Sequence, residues 1–166
     1  MADRQTGVKG EKIRIERIYD TSVETIWRLW TTAEGIESWW APDGFTVKVV
    51  KLYLKPRGEL VYTMTATGTE QIDFMRGAGM PLTTESRKTF TEVIEPRRLA
   101  YLSLVDFVPN HAPYEFLTVV DIDQIGAQGK VVMTVDRMHD EVWTGRLVAG
   151  RENELENLRK VIAAAR

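Results

Sequence analysis

The chain has 166 residues, no cysteine and a formal net charge of −2. This length suits one domain with a substantial core, and the charge excludes a protein that attracts nucleic acid through an overall basic field. The missing cysteines exclude disulfides, thiolate chemistry and Cys-ligated metals, and they fit a cytoplasmic protein, although they are also compatible with export. No signal-peptide pattern or membrane-length apolar run is present, so we expect a soluble, cytoplasmic domain without membrane insertion.

The N-terminal quarter predicts a tail, a strand and two helices. Residues 1–11 are polar and predict a flexible tail before a single domain over residues 12–166. Apolar residues alternate with charged ones over 12–19, which predicts a strand. Thr21 and Glu24 then form a capping-box pattern in front of a helix.

The first helix buries one face and is followed by a second, short helix. Its apolar residues recur at helical spacing and include Trp27 and Trp30. Gly35 interrupts the pattern, and Pro42 and Gly44 end it.

Beyond Gly44 the hydrophobic period changes to two, which predicts six strands. Short turns separate several of them, so we expect antiparallel neighbours throughout. The predicted strands span residues 45–54, 60–64, 88–94, 99–107, 115–125 and 130–138.

A long helix over residues 140–165 ends the chain, with an apolar stripe that includes Trp143 and Leu147. It is the only element long enough to cover the apolar face of the sheet. The predicted fold class is therefore α+β: a helix-grip fold with a curved antiparallel sheet of about six to seven strands around the C-terminal helix, and two short N-terminal helices.

This order of elements and several local motifs resemble the START-like (SRPBCC, Bet v 1-like) superfamily. The nearest branch is that of the homologues of the Hsp90 ATPase activator, and the similarity extends over residues 13–162. The motifs that carry it lie at residues 17–20, 39–42, 54–60, 92–99 and 138–143. The resemblance implies a cavity between the sheet and the long helix that typically holds hydrophobic small molecules.

Two positions depart from the family pattern. The residue after the glycine of the long helix is often Trp in the family, and here it is Arg151. The hairpin that usually has a Gly-Gly pair has Arg57-Gly58, which we interpret as a tolerated turn variant.

The clustered tryptophans predict a wall of that cavity, with an ordinary packed core as the alternative. We expect Trp27 and Trp30 to anchor the first helix to the sheet. Trp39 and Trp40 are adjacent, so we expect one to line the cavity or its entrance and the other to cover the surface.

Two residues of the long helix leave two interpretations each. Gly150 lies mid-helix, where it costs about 1 kcal/mol relative to Ala, and it indicates either close packing or space for a ligand. Arg151 lies within or beside the apolar stripe. It either reaches solvent or pairs with Glu154 or Glu156, or it projects into the cavity to meet a carboxylate or phenolate of a ligand.

The segment 73–81 is unusually apolar for a connection between strands. Phe74, Met75 and Met80 suit an adaptable lid, since Met is flexible and polarizable. The alternative is a short helix packed over the end of the sheet.

No motif predicts catalysis, a metal site or a cofactor. His111 and His139 are the only histidines, and no spacing places either in a triad, so we expect structural or surface roles. The predicted ligand-binding residues are Trp27, Trp39, Trp40, Phe74, Met75, Met80, Tyr101, Phe107, Trp143, Leu147, Gly150 and Arg151.

The favoured function is non-catalytic binding of a small apolar or amphipathic molecule. One alternative is an enzyme similar to polyketide cyclases and aromatases, with proton transfer by His111, Tyr101 or Arg151. Another is a chaperone-interacting protein, as the family label implies. The exposed edge strands leave a homodimer open.

Overall fold

A computed structural model describes residues 8–165, with side chains from Glu11 onward. Seven antiparallel strands form one sheet in the order β1-β7-β6-β5-β4-β3-β2, which confirms the predicted fold class. The strands are β1 (Val8–Tyr19), β2 (Phe45–Leu52), β3 (Glu59–Ala66), β4 (Thr83–Ile94), β5 (Arg98–Val105), β6 (Tyr114–Ile125) and β7 (Gln128–Arg137). The helices are α1 (Val23–Thr31), α2 (Ala33–Trp39), α3 (Thr69–Gly77) and α4 (Glu141–Ala164).

The sheet starts earlier than the sequence pattern predicts. Strand β1 begins at Val8, inside the predicted tail, and its pairing with β7 is irregular between Val8 and Ile13. The rest of that prediction, residues 1–7, lies outside the described residues. Regular pairing with β7 explains why only the stretch from Ile13 shows a clear alternation.

The capping box predicted at Thr21 is wrong by one residue. Ser22 is the N-cap of α1, and its side chain accepts a hydrogen bond from the backbone N–H of Thr25 at 3.2 Å. Thr32 ends α1 and caps α2 in the same way, accepting from the N–H of Gly35 at 3.0 Å. Hydroxyl caps thus set the sharp junction between the two helices.

Trp39 and Trp40 are both buried, so the prediction that one covers the surface is wrong. Helix α2 ends at Trp39, and the turn at Trp40 places both rings on the interior side. Trp39 packs edge-on against Trp30 and donates a hydrogen bond from Nε1 to the carbonyl of Leu29 at 2.8 Å. Trp40 packs edge-on against Tyr62 of β3.

The apolar segment between β3 and β4 is a short helix, α3, as one of the two interpretations predicted. Met75 is its buried side chain, and Phe74 and Met80 are 68% and 46% exposed.

The β2–β3 turn shows how Arg57-Gly58 is accommodated. Arg57 adopts the left-handed region with φ of 70°. A Cβ at Gly58 would lie 2.1 Å from the carbonyl oxygen of Tyr53, so this position requires glycine. Arg57 replaces the first glycine of the usual pair at an exposed position, and the second glycine, Gly58, is retained.

The two halves of α4 relate differently to the sheet. Leu155, Leu158 and Ile162 are buried in the main core, together with residues of α1, α2 and the concave face of the sheet. Arg146 and Gly150, closer to the start of the helix, are exposed. No helix within residues 8–165 is long and apolar enough to span a membrane.

Candidate functional site

A cavity of about 210 Å³ lies between the concave face of the sheet and the first half of α4. Strands β3 to β6 supply one wall and the helix supplies the other. The residues used below are Tyr62, Lys88, Ser103, Gly150, Arg151 and Glu154, all of which line it.

The strand register brings the polar wall together. Lys88 of β4 pairs with Ser103 of β5, which in turn pairs with Phe116 of β6. Two residues further along each strand, Phe90 pairs with Tyr101, and Tyr101 pairs with Thr118. Because side chains two residues apart point to the same face, both rows lie on the concave side.

Lys88 is buried without a carboxylate partner among the residues that the structure describes. The residue is 7% exposed, and its Nζ donates a hydrogen bond to Ser103 Oγ at 2.8 Å. The same nitrogen lies 5.5 to 5.8 Å from the ring centroids of Trp40, Tyr62 and Tyr101. Burial, assisted by the Arg151 cation and opposed by Glu154, lowers the pKa of Lys88 from 10.5 to about 7.

Arg151 reaches across from α4 to the sheet. It is 5% exposed, so the expectation that it extends to solvent is wrong, whereas the predicted pairing with Glu154 is confirmed at 3.2 Å. Its second terminal nitrogen donates to Thr118 Oγ1 at 3.2 Å, and its guanidinium lies 5.9 Å from the Phe116 ring centroid. The Arg151 Nε is buried and has no hydrogen-bond partner within the described part of the chain.

The cavity therefore carries more buried positive than negative charge. Lys88 and Arg151 are both more than nine-tenths buried, and Glu154, with its side chain 24% exposed, is the carboxylate that reaches this pair. Burial raises the pKa of the Tyr62 and Tyr101 phenols, so both remain neutral hydroxyls near pH 7. An unbalanced pair of this kind favours an anion.

Aromatic side chains flank the outer part of the cavity. Phe107 lines it, is 60% exposed and packs against Trp143 with 5.8 Å between ring centroids. The guanidinium of Arg146 lies over the Trp143 ring at 4.7 Å. The outer part of the cavity is thus bordered by the Phe107 ring and by the exposed cations Arg146 and Arg87.

The two histidines lie together beside this aromatic group. Their ring centroids are 4.3 Å apart, and the Tyr114 hydroxyl lies 2.7 Å from Nδ1 of His139. His139 also contacts Trp143. Neither histidine lines the cavity, so the predicted proton-transfer role of His111 finds no support in this geometry.

Four of the predicted site residues line the cavity: Phe107, Leu147, Gly150 and Arg151. Trp40 and Tyr101 lie beneath it against Lys88, and Trp143 flanks it through Phe107. The structure does not bring the other five to this cavity: Trp27 and Trp39 belong to the core, and Phe74, Met75 and Met80 belong to α3 and the turn after it.

Gly150 is not explained by close packing. A Cβ at this position would meet no atom within 4 Å among the described residues outside the backbone of the helix itself. The glycine is exposed and borders the cavity.

Lys88, Ser103 and Thr118 were not predicted from the sequence as residues of the site. A signal was available for Lys88, because it lies two residues before the apolar Phe90 on a strand and so shares its inward face. The others are polar residues whose partners are distant in sequence, and only the register of β4, β5 and β6 with α4 joins them.

Solved structures resemble this fold over nearly its whole length. An AHSA1-like protein from Aeromonas hydrophila is 21% identical, with 93% of each chain covered and a TM-score of 0.72. A protein from Mycobacterium smegmatis is 16% identical, with 99% of each chain covered and a TM-score of 0.73. An AHSA1 protein from Silicibacter pomeroyi is 15% identical, covers 93% of this chain and 99% of its own, and has a TM-score of 0.73.

These identities establish the fold alone, and comparison with curated proteins gives no significant match. The family model described as "Activator of Hsp90 ATPase homolog 1-like protein" matches residues 20–162. That range begins at the end of β1 and runs almost to the end of α4, so it includes the whole cavity. The chain therefore belongs to the family of Activator of Hsp90 ATPase homolog 1-like proteins.

Proposed function

We propose that this protein binds a small amphipathic molecule with an acidic group in the cavity between the sheet and α4. The observation that carries the proposal is the pair of buried cations, Lys88 and Arg151, which among the described residues meets one carboxylate, the partly exposed Glu154. A carboxylate or phenolate would supply the missing negative charge, and the rings around the pair would contact an apolar body.

The volume of the cavity sets the size of the ligand. A cavity of roughly 150 Å³ lined by apolar side chains holds a benzene ring. The cavity here has about 210 Å³, which accommodates one substituted ring or a short branched chain. A sterol or a long acyl chain would extend beyond this volume.

Hydrogen-bond capacity supports an acidic rather than a neutral ligand. The Nε of Arg151 is unpartnered in the described structure, and the Nζ of Lys88 has one partner for up to three donors. Each charge-assisted hydrogen bond formed with a ligand is worth about 1.5–3 kcal/mol.

Benzoate and its neutral analogue benzamide test this proposal by calorimetric titration. We expect wild-type protein to bind benzoate at least tenfold more tightly than benzamide. Arg151→Met should weaken benzoate binding at least tenfold, because it removes one charge-assisted hydrogen bond worth about 1.5–3 kcal/mol. Arg159→Met is the matched control: Arg159 is on the same helix, exposed and paired with Glu156, so its loss should change nothing.

Equal binding of benzoate and benzamide by the wild type would contradict an acid site. Native mass spectrometry of gently purified protein provides an independent measurement. A co-purifying organic acid that is lost from Arg151→Met and retained by Arg159→Met would support the proposal and identify the ligand class.

A second candidate function is contact with a chaperone, which the name of the family favours. It predicts that the purified chain stimulates the ATPase activity of Hsp90. An unchanged turnover rate, measured with a known activator as positive control, would contradict it.

A further inference from the structure

We propose that Lys88 is a nucleophilic amine that condenses reversibly with the carbonyl group of a small oxo or formyl acid bound in the cavity, with the acid group held by Arg151. This rests on the proposed function, because it uses the same cavity and the same acid-binding arginine. It adds a covalent step and narrows the ligand to one that carries both a carboxylate and an aldehyde or ketone.

The surroundings of Lys88 separate it from an ordinary structural lysine. A buried lysine is usually held by a carboxylate, but in the described structure Glu154 pairs with Arg151, and the Nζ of Lys88 contacts only the Ser103 hydroxyl. The aromatic rings of Trp40, Tyr62 and Tyr101 surround the amine without adding a negative charge.

This environment keeps a substantial fraction of the amine neutral near pH 7. The pKa of Lys88 is lowered to about 7, chiefly by burial and then by the Arg151 cation. Desolvation in an apolar pocket and a neighbouring cation are the two recognised ways of activating a lysine for imine formation. A lysine with the usual pKa near 10.4 is only about one part in a thousand neutral at pH 7.5.

The geometry places the two functions on opposite walls of one small cavity. Lys88 lies on the sheet, in β4, and Arg151 lies on α4, and both line the cavity. A compact acid with its carboxylate on Arg151 therefore presents its other end towards the Lys88 amine. The hydroxyls of Ser103 and Tyr62 border the same space and can exchange protons with the reacting oxygen.

The step balances without an oxidant or a reductant. The lone pair of Nζ attacks the carbonyl carbon and forms the C–N bond, and the carbonyl oxygen takes a proton to give a carbinolamine. The hydroxyl then takes a proton from solvent and leaves as water, and the remaining amine proton passes back to solvent, which leaves the neutral imine with no net gain or loss of protons. Addition of water reverses the sequence and frees Lys88.

Reductive trapping tests the proposal on the wild-type chain at pH 7.5. The probe is 4-formylbenzoate with cyanoborohydride, and the readout is peptide mass mapping of the added carboxybenzyl group. We expect Lys88 to be labelled at least tenfold faster than Lys48, whose side chain is 79% exposed on β2. Benzaldehyde, which lacks the carboxylate, should label Lys88 at least fivefold more slowly than 4-formylbenzoate and label Lys48 equally.

Two readouts separate this inference from the binding proposal: labelling of Lys88 and benzoate affinity of the wild type. Lys88→Arg cannot form an imine, so labelling at position 88 should vanish while labelling of Lys48 is unchanged. If benzoate binds the wild type and Lys88 is labelled no faster than Lys48, the amine chemistry is wrong and the binding proposal stands. If benzoate fails to bind and Lys88 is labelled no faster than Lys48, both the binding proposal and the imine proposal are overturned. If benzaldehyde labels Lys88 as fast as 4-formylbenzoate does, Arg151 does not hold the acid group.

Discussion

At the scale of single residues, Lys88 opposes folding in the position where it is held. Burying an ammonium group costs several kcal/mol unless opposite charge and hydrogen bonds compensate it. Ser103 supplies one hydrogen bond, and nearby Arg151 adds repulsion that Glu154 only partly offsets. A perturbed amine of this kind in a cavity is typical of functional sites, where stability is given up for chemistry.

Lys88→Met should stabilise the protein, most strongly at and below pH 7. Met has a similar length and removes the buried charge, so we expect a gain of about 1–4 kcal/mol in the free energy of unfolding. Because the pKa of Lys88 is about 7 when folded and near 10.4 when unfolded, the unfolded state binds more protons between these values. Wild-type stability from this group therefore rises from pH 7 to about pH 10, and the advantage of Lys88→Met shrinks over that window.

Urea denaturation at pH 6, 7, 8.5 and 10 measures this effect. Lys48→Met is the control, because it removes the charge of an exposed lysine and should leave the unfolding free energy nearly unchanged at each pH. A Lys88→Met variant that is less stable than wild type at pH 6 would show that the amine stabilises the fold.

At the scale of elements, α4 combines a packed half with a half that borders the cavity. Leu155, Leu158 and Ile162 attach its later turns to the core. Gly145 and Gly150 lie in its earlier turns, and a Cβ at either would meet nothing within 4 Å among the described residues. Only Gly150 lines the cavity.

This difference predicts that the two glycine positions respond alike to alanine and differently to leucine. Gly145→Ala and Gly150→Ala should each stabilise the protein by about 1 kcal/mol, because Ala favours the helix and meets no obstacle. Gly150→Leu should weaken benzoate binding at least tenfold by occupying the cavity, while Gly145→Leu should leave the affinity unchanged. Thermal unfolding and calorimetric titration of the four variants test both points, and equal effects of the two leucines on affinity would contradict the location of the ligand.

The fold was largely predictable from the sequence, and the site only in part. Hydrophobic periods of 2.0 and 3.6 report which face of each element is buried, and that was enough to place all seven strands and α4. Helix α3 remained ambiguous because Phe74 is exposed while the adjacent Met75 is buried, so its apolar residues do not all lie on one buried face. The pairing of Lys88 with Ser103, and of Arg151 with Thr118, depends on register and on the distance between helix and sheet, which periodicity does not encode.

At the scale of the whole molecule, the fold fills one end of the space beneath the sheet and leaves the other open. The tryptophans of α1 and α2 pack into the core with the later turns of α4. The cavity remains under the earlier turns, bounded by Arg151 and Glu154 on the helix and Lys88 on the sheet. The charged groups facing Lys88 are therefore Arg151 and Glu154, with neutral Tyr62 and Tyr101 beside them.

This arrangement couples ligand binding to proton uptake. Benzoate has no carbonyl group that reacts with the amine, and its anion favours the charged form of Lys88, so its binding raises the pKa of this amine above about 7, the value in the free protein. An oxo or formyl acid instead consumes the neutral fraction of the amine by forming the imine. Benzoate stays ionised well above its own pKa, so its affinity should be highest near pH 6 and fall about fivefold or more by pH 9, as Lys88 loses its proton. The attraction between benzoate and the Lys88 cation is worth about 1–4 kcal/mol for charges roughly 4 Å apart.

Calorimetry in two buffers of different ionisation enthalpy should detect the proton taken up near pH 7.5. Lys88→Met should bind benzoate with the same affinity at pH 6 and pH 9. A wild-type affinity that does not change between pH 6 and pH 9 would mean that the anion pairs with Arg151 alone.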